Sequence, residues 1–262
     1  MEYVENGDLQ SYLKYLKKNK ISLFWHQKLD ILWNIVAGLE IIHVTGMTHH
    51  DLYTHNILQF KDLLYPSQIS DLGLTKQANE IDTEKIIGVL PYITPEVLNK
   101  KPYTKASDIY SFAMILWKVG TEETPYVGIS YDIELIKNGL WPEIPERIPE
   151  CYAKLIKNCW DEDPQKRSTV LGIKEEIMKW QSVLGWFSTE DSRSDAEAKQ
   201  FEEADDKKSK PLKKRFYDSP PKSQEISAGK MHSSNPEKAI QFQWKYRNFL
   251  DASHWYYHGY YV

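Results

Sequence analysis

Apolar positions in the first fifth of the chain recur at helical spacing. Leu9, Tyr12, Leu13 and Leu16 follow Gly7-Asp8 and predict a short amphipathic helix capped by Asp8. Leu29, Leu32, Val36, Leu39 and Ile42 predict a longer helix from about Phe24 to His43, ended by Gly46. The pattern then changes. "NILQF" and "SQISDLGL" predict two short strands joined by a turn around Pro66. "ASDIYSFAMILWKVG" is apolar on nearly every side, which predicts a buried central helix opened by Ser107 or Asp108. "YDIELIKNG", "CYAKLIKNCW" and "TVLGIKEEIMKW" predict further short helices between Pro-rich loops, and the globular pattern fades near Gly185.

Beyond Ser188 the composition shifts. "EEADDKKSKPLKKRFYDSPPKSQEISAGKMHSSNPEK" is polar, charge-blocked and poor in aliphatic residues, so a disordered linker is expected over 186–240. Its basic run from Lys207 to Arg215 has two readings, a nuclear-import signal or a solvated linker. The last stretch, 241–262, is dense in aromatics at neither helical nor strand period; a docking peptide and a misplaced gene end both fit it.

Bulk properties narrow the classes. A chain of 262 residues, 41% hydrophobic, has material for one large domain or two small ones. A net charge of −4 gives no reason to expect nucleic acid or an anionic membrane as partner. Cys151 and Cys159 form no Cys-x-x-Cys pair, which fits a reducing compartment. "MEYVENGDLQ" has no basic and apolar leader character, and "ILWNIVAGLEIIHV" is too short and too polar to span a bilayer. A soluble, cytoplasmic protein is expected, with the nucleus left open by the basic run.

The chemistry concentrates in "HHDLYTHN", residues 49–56. His49, His50 and His55 do not follow H-E-x-x-H, and no cysteine accompanies them, which argues against zinc. Asp51 and Asn56 share one tight loop, and Asp71 ends the following hairpin. That arrangement can bring three oxygen-bearing side chains to one point, and hard oxygen ligands suit Mg²⁺ on phosphate. Singly, each would be an ordinary turn residue.

Here the sequence resembles the eukaryotic protein kinase family, in its C-terminal lobe. "HHDLYTHN" is similar to the catalytic-loop pattern H-R-D-L-x-x-x-N, Asp71-Leu72-Gly73 to D-F-G, and Thr94-Pro95-Glu96 to A-P-E. "SDIYSFAMILWKV" resembles the buried central helix with its leading Asp108, and "DPQKRST" the late arginine motif through Arg167. Order and intervals agree over residues 1 to about 185. The resemblance implies a mainly α (α+β) C-terminal lobe with a small β-hairpin and a disordered tail. It implies ATP-dependent phosphorylation of Ser/Thr or Tyr hydroxyls on protein substrates, with ATP and Mg²⁺ as cofactors. Asp51 would accept or orient the acceptor proton; Asn56 and Asp71 would hold the metal. Main-chain groups of Glu2 and Val4 would face adenine, Asp8 would lie near the ribose, and Leu58 would form the pocket floor. Glu96 would pair with Arg167, Asp108 would hold the catalytic loop through backbone bonds, and Leu74 to Thr94 would be the activation loop.

Departures bear on activity. His50 stands in place of the loop arginine, which weakens any link to an activation-loop phosphate at Thr75 or Thr83. Leu72 replaces phenylalanine, and Tyr53 and Val89 occupy positions that carry lysine and threonine in serine/threonine kinases. "GVLPYITPE" sounds more like tyrosine-kinase-like groups, so acceptor choice stays open. Met1 falls at the hinge, and the sequence holds neither G-x-G-x-x-G nor V-A-I-K. One lost preorganised donor costs about 3 kcal/mol, and two would slow the chemistry on the order of 10⁴-fold. The expectations are therefore weak or absent turnover, little stabilisation by Mg-ATP, and apolar surface exposed where an N-terminal lobe would pack. A catalytically dead interaction module is the competing reading.

Overall fold

The computed structural model describes residues 7–60, 67–78, 88–126, 133–137, 139–184 and 196–207. Within them the chain is mainly helical, with two small antiparallel strand pairs.

Helix α1 (Leu9–Lys18) buries Leu9, Leu13 and Leu16 on one face. Its cap is Asp8, whose Oδ1 accepts from the Ser11 amide at 2.8 Å, as its sequence position implies. Helix α2 (Trp25–Val44) is buried almost all round, including Leu29, Leu32, Ile35, Val36 and Leu39. Each such side chain contributes about 1.5–3 kcal/mol of burial, set against the entropy of ordering it. Gly46 follows with φ +79, the left-handed turn that releases the chain from the helix.

Helix α4 (Lys105–Thr121) is the central element, and every residue from Ser107 to Thr121 is buried. Its N-cap is Thr104, not Ser107 or Asp108. The Thr104 Oγ1 accepts from the Ser107 amide at 3.3 Å, and the Ser107 Oγ accepts from the Thr104 amide at 3.1 Å. This reciprocal box satisfies the first turn and leaves the Asp108 carboxylate for other partners. Helix α6 (Glu150–Cys159) packs on α4 across Gly120, where an added Cβ would meet Tyr152 Cε1 at 2.8 Å. The Tyr152 hydroxyl donates to the Leu116 carbonyl at 2.6 Å. Helices α3 (Pro95–Leu98) and α5 (Ile133–Lys137) belong to a smaller apolar cluster with Ile93, Val97, Leu98, Tyr126 and Ile136.

Helix α7 (Val170–Leu184) lies along α2. Helix α8 (Ala196–Asp206) corrects the sequence reading: part of the expected linker is ordered and packed, with Phe201 fully buried. Its charges outnumber its apolar groups, so composition suggests disorder; three apolar residues on one face are enough when aromatic partners await them. The basic run beyond Lys207 and the aromatic tail lie outside the described residues. Among the described residues no helix is long and apolar enough to cross a membrane.

Candidate functional site

Two antiparallel pairings gather the site. Strands β1 (Met47–Thr48) and β4 (Lys76–Gln77) pair, as do β2 (Ile57–Gln59) and β3 (Ser67–Ile69). The segment 49–56 leaves β1 and enters β2; the segment 70–75 leaves β3 and enters β4. Both turns are therefore closed between the same two clamps. Ile57 faces Ile69, and the Ser70 amide donates to the Asn56 carbonyl at 2.8 Å, so Asp71 follows directly beside Asn56. The β2–β3 hairpin was legible in the sequence; β1–β4, two residues a side, was not.

The loop is held from beneath by Asp108. This carboxylate is 1% exposed. It accepts from the His49 amide at 2.8 Å, the His50 amide at 3.3 Å and the His43 ring Nε2 at 3.0 Å. A buried carboxylate with three donors is well satisfied, and it fixes the chain leading into Asp51. His49 is fully buried, and its Nε2 lies 3.0 Å from the Ser70 carbonyl while Nδ1 accepts from the Asp51 amide at 3.3 Å. A carbonyl only accepts, so Nε2 donates there and the ring bridges the two turns.

His50 has φ +70, a left-handed backbone unusual for a residue other than glycine. Its ring stacks on Tyr103 at 4.3 Å between centroids. Burial, reinforced by the charges of Asp51 and Asp108, raises the Tyr103 hydroxyl well above its ordinary range. Asp71 is also left-handed, with φ +56, and lies exposed at the end of β3.

Asp51 is half-buried, and its carboxyl is raised above the ordinary carboxylate range. Burial is the leading cause; His49 and an Asn56 hydrogen bond oppose it, and the nearby negative charge of Asp71 adds to it. Asn56 Nδ2 donates to the Asp51 carbonyl at 2.8 Å and to Asp51 Oδ2 at 3.1 Å. Both bonds use the amide nitrogen, so Oδ1 carries the remaining acceptor capacity of that side chain. Among the described residues no ion pair or hydrogen bond engages the Asp71 carboxylate. One carboxylate and one amide oxygen form a hard donor set that fits Mg²⁺ carrying phosphate oxygens.

Beside this cluster, Leu58 is half-buried and bridges to Asp8, while the Gln59 amide donates to the Gly7 carbonyl at 2.8 Å. Asp8 is already engaged by Ser11 and by the His55 ring at 3.2 Å. Burial pushes its carboxyl up, but the Ser11 bonds and His55 outweigh it and the net direction is down. Glu2 and Val4 lie outside the described residues. On the other side of Asp51 the chain passes at Gly88, φ +131, where a Cβ would sit 3.5 Å from Asp51 Oδ1 and 3.2 Å from Ile93. Asp51, Gly88, Val89, Tyr92 and Tyr103 line a shallow hollow there. Of the two threonines named for an activation-loop phosphate, Thr75 has its Oγ1 buried and Thr83 lies outside the described residues.

Arg167 anchors the segment after Gly88. Its Nη1 and Nη2 meet Glu96 Oε1 at 2.6 Å and Oε2 at 2.9 Å, and it also donates to the Ala106 and Asp161 carbonyls. Sequence reasoning missed Lys118. This lysine of α4 is 5% exposed and donates to Gln10 of α1 and, at 3.5 Å, to Thr54 of the loop. Burial lowers its ammonium to about 8 against the opposing pull of Asp8. The signal was available: one lysine inside "AMILWKVG" must find a polar partner.

Comparison with known proteins agrees with this arrangement. The profile of the family described as Protein tyrosine and serine/threonine kinase matches residues 1–177, so the chain belongs to the protein kinase family. A probable serine/threonine-protein kinase of Dictyostelium discoideum, drkC, is 34% identical over 188 residues, covering 68% of this chain and 24% of that protein. The serine/threonine/tyrosine-protein kinase HT1 of Arabidopsis thaliana is 30% identical over 189 residues, covering 70% of this chain and 47% of its own length. The chain thus spans less than half of each of these two relatives. Members of this family use ATP and Mg²⁺ and act on protein substrates.

Proposed function

We propose that this site performs the C-lobe share of phosphoryl transfer from ATP to a protein hydroxyl. Asp51 orients the acceptor and takes its proton, aided by a carboxyl whose raised affinity for protons suits a base. Asn56 Oδ1 and the Asp71 carboxylate hold the metal that neutralises charge on the phosphates. Leu58 and Asp8 border the nucleotide. The acceptor side chain approaches Asp51 from the side of Gly88 and Val89. The observation that carries this reading is the double bond from Asn56 Nδ2 to Asp51, which locks base and metal ligand into one unit. The chain works in the cytoplasm under this reading.

The competing reading, an interaction module without catalysis, draws on the departure at the loop, where His50 stands in place of the arginine of the family pattern. Paramagnetic relaxation separates them, because it detects weak occupancy. Millimolar Mn²⁺ with ATP should broaden the amide signals of Asn56 and Asp71 first, and Asp71→Asn should abolish the effect. Broadening spread over surface carboxylates, unchanged in Asp71→Asn, would leave the interaction module standing.

A further inference from the structure

Helices α2 and α6 begin without an N-cap side chain of their own; at α2 Gln27 Oε1 reaches back to the Phe24 amide at 2.9 Å and leaves that of Trp25 untouched. Their N-cap residues are Phe24 and Pro149, and neither side chain makes a cap hydrogen bond. A phenyl or pyrrolidine ring has no acceptor to offer the first amides, which in most helices a nearby Ser, Thr, Asp or Asn satisfies. Here the acceptors come from α8. Both carboxylate oxygens of Asp205 accept from the Trp25 amide at 3.2 Å, 180 residues away in sequence. Gln200 Oε1 accepts from the Cys151 amide at 3.0 Å, 49 residues away.

Between these polar grips α8 buries its apolar side. Ala198 and Phe201 are 0% exposed and Ala204 8%. Phe201 stands edge-on to Trp25 at 5.2 Å and to Trp180 of α7 at 5.4 Å. Glu197 Oε2 accepts from the Trp180 indole nitrogen at 3.0 Å and pairs with Lys179 at 2.7 Å. Positions 197, 198, 200, 201, 204 and 205 share one helical face, whereas Lys199, Glu202, Glu203 and Asp206 are exposed. Two helix N-termini carry partial positive charge, so an acidic helix is the complementary occupant.

We propose that the N-termini of α2 and α6, with Trp180, form a docking surface for an acidic amphipathic helix, and that α8 of the same chain occupies it as a latch. The folded lobe then extends past the end of α7, and its second and sixth helices are completed from outside the 1–177 region that the kinase family profile matches. The inference stands apart from the catalytic reading, since it concerns the opposite end of α2.

Site-resolved hydrogen exchange on the full chain tests it. Gln200→Ala should speed exchange of the Cys151 amide about fivefold and leave Trp25 unchanged, and Asp205→Ala should do the reverse, each matching loss of one cap. Phe201→Ala should expose both amides, and an excess of a peptide spanning 194–208 should restore their protection. Should Phe201→Ala fail to fold, the two polar variants decide alone. Unchanged exchange in both polar variants would overturn the proposal. So would protection that rises with chain concentration, which would assign the helix to a second copy.

Discussion

Asp108 and Asp205 hold opposite ends of α2. Asp205 accepts from the amide of Trp25 at its start, and Asp108 accepts from the ring of His43 in its last turn and from the 49–56 loop beyond. Their surroundings differ. Asp108 is 1% exposed and serves three donors in the interior, whereas Asp205 is half-buried and reaches a backbone amide at the rim. A carboxylate in the interior cannot be replaced by water, and one at the rim can. The same residue type therefore carries very different weight at the two ends of one helix.

The largest effect should come from Asp108→Ala, which strands the His49 and His50 amides and the His43 ring together. A loss of about 3 kcal/mol or more in urea unfolding is expected. Asp108→Asn, which keeps the shape and surrenders the charge, should lose less. If Asp108→Ala unfolds like the parent, the loop is not held from beneath as described. Asp205→Ala should cost only about 1 kcal/mol by the same measurement, because solvent takes over the freed amide. A cost equal to that of Asp108→Ala would erase the contrast between the two ends.

Lys118 gives the most conditional effect, confined to one range of pH. Its ammonium is near 10.5 when unfolded and about 8 when folded, lowered by burial. Between those values the unfolded chain binds more protons, so this group makes stability rise with pH there, by at most about 1.4 kcal/mol per pH unit. Below pH 8 the cost of the buried charge is present in full. Lys118→Met should flatten the rise between pH 8 and pH 10, as read from melting curves. An unchanged slope would show that burial does not lower the Lys118 ammonium.

The same contrast governs what the sequence could disclose. Glu96, Asp108 and Arg167 sit in motifs at recognisable spacing, so the Glu96–Arg167 pair and the backbone bonds from the loop to Asp108 could be named in advance, as could the closeness of Asp51 and Asn56. Helices α1, α2 and α4 were legible because their apolar residues keep the 3.6 period or fill every side. The cap of α4 was misread because Thr104, Ser107 and Asp108 all suit an N-terminus, and only the backbone geometry shows which one is free to act elsewhere. Helix α8 was lost in a charged composition. Its partners, Trp25, Cys151 and Trp180, are remote in sequence, and no local pattern records that Phe24 and Pro149 leave amides to be satisfied from far away. Lys118 was visible as a lone charge in an apolar helix, but its bond to Gln10 crosses 108 residues.

The central claim is that Asn56 and Asp71 act on one metal beside Asp51. Anomalous diffraction from crystals grown with Mn²⁺ and a non-hydrolysable ATP analogue measures this directly. The account predicts a metal peak within coordination distance of both Asn56 Oδ1 and the Asp71 carboxylate, with the triphosphate against it and Asp51 on the acceptor side. Manganese bound at other carboxylates, with Asn56 and Asp71 bare and too far apart to share an ion, would contradict it.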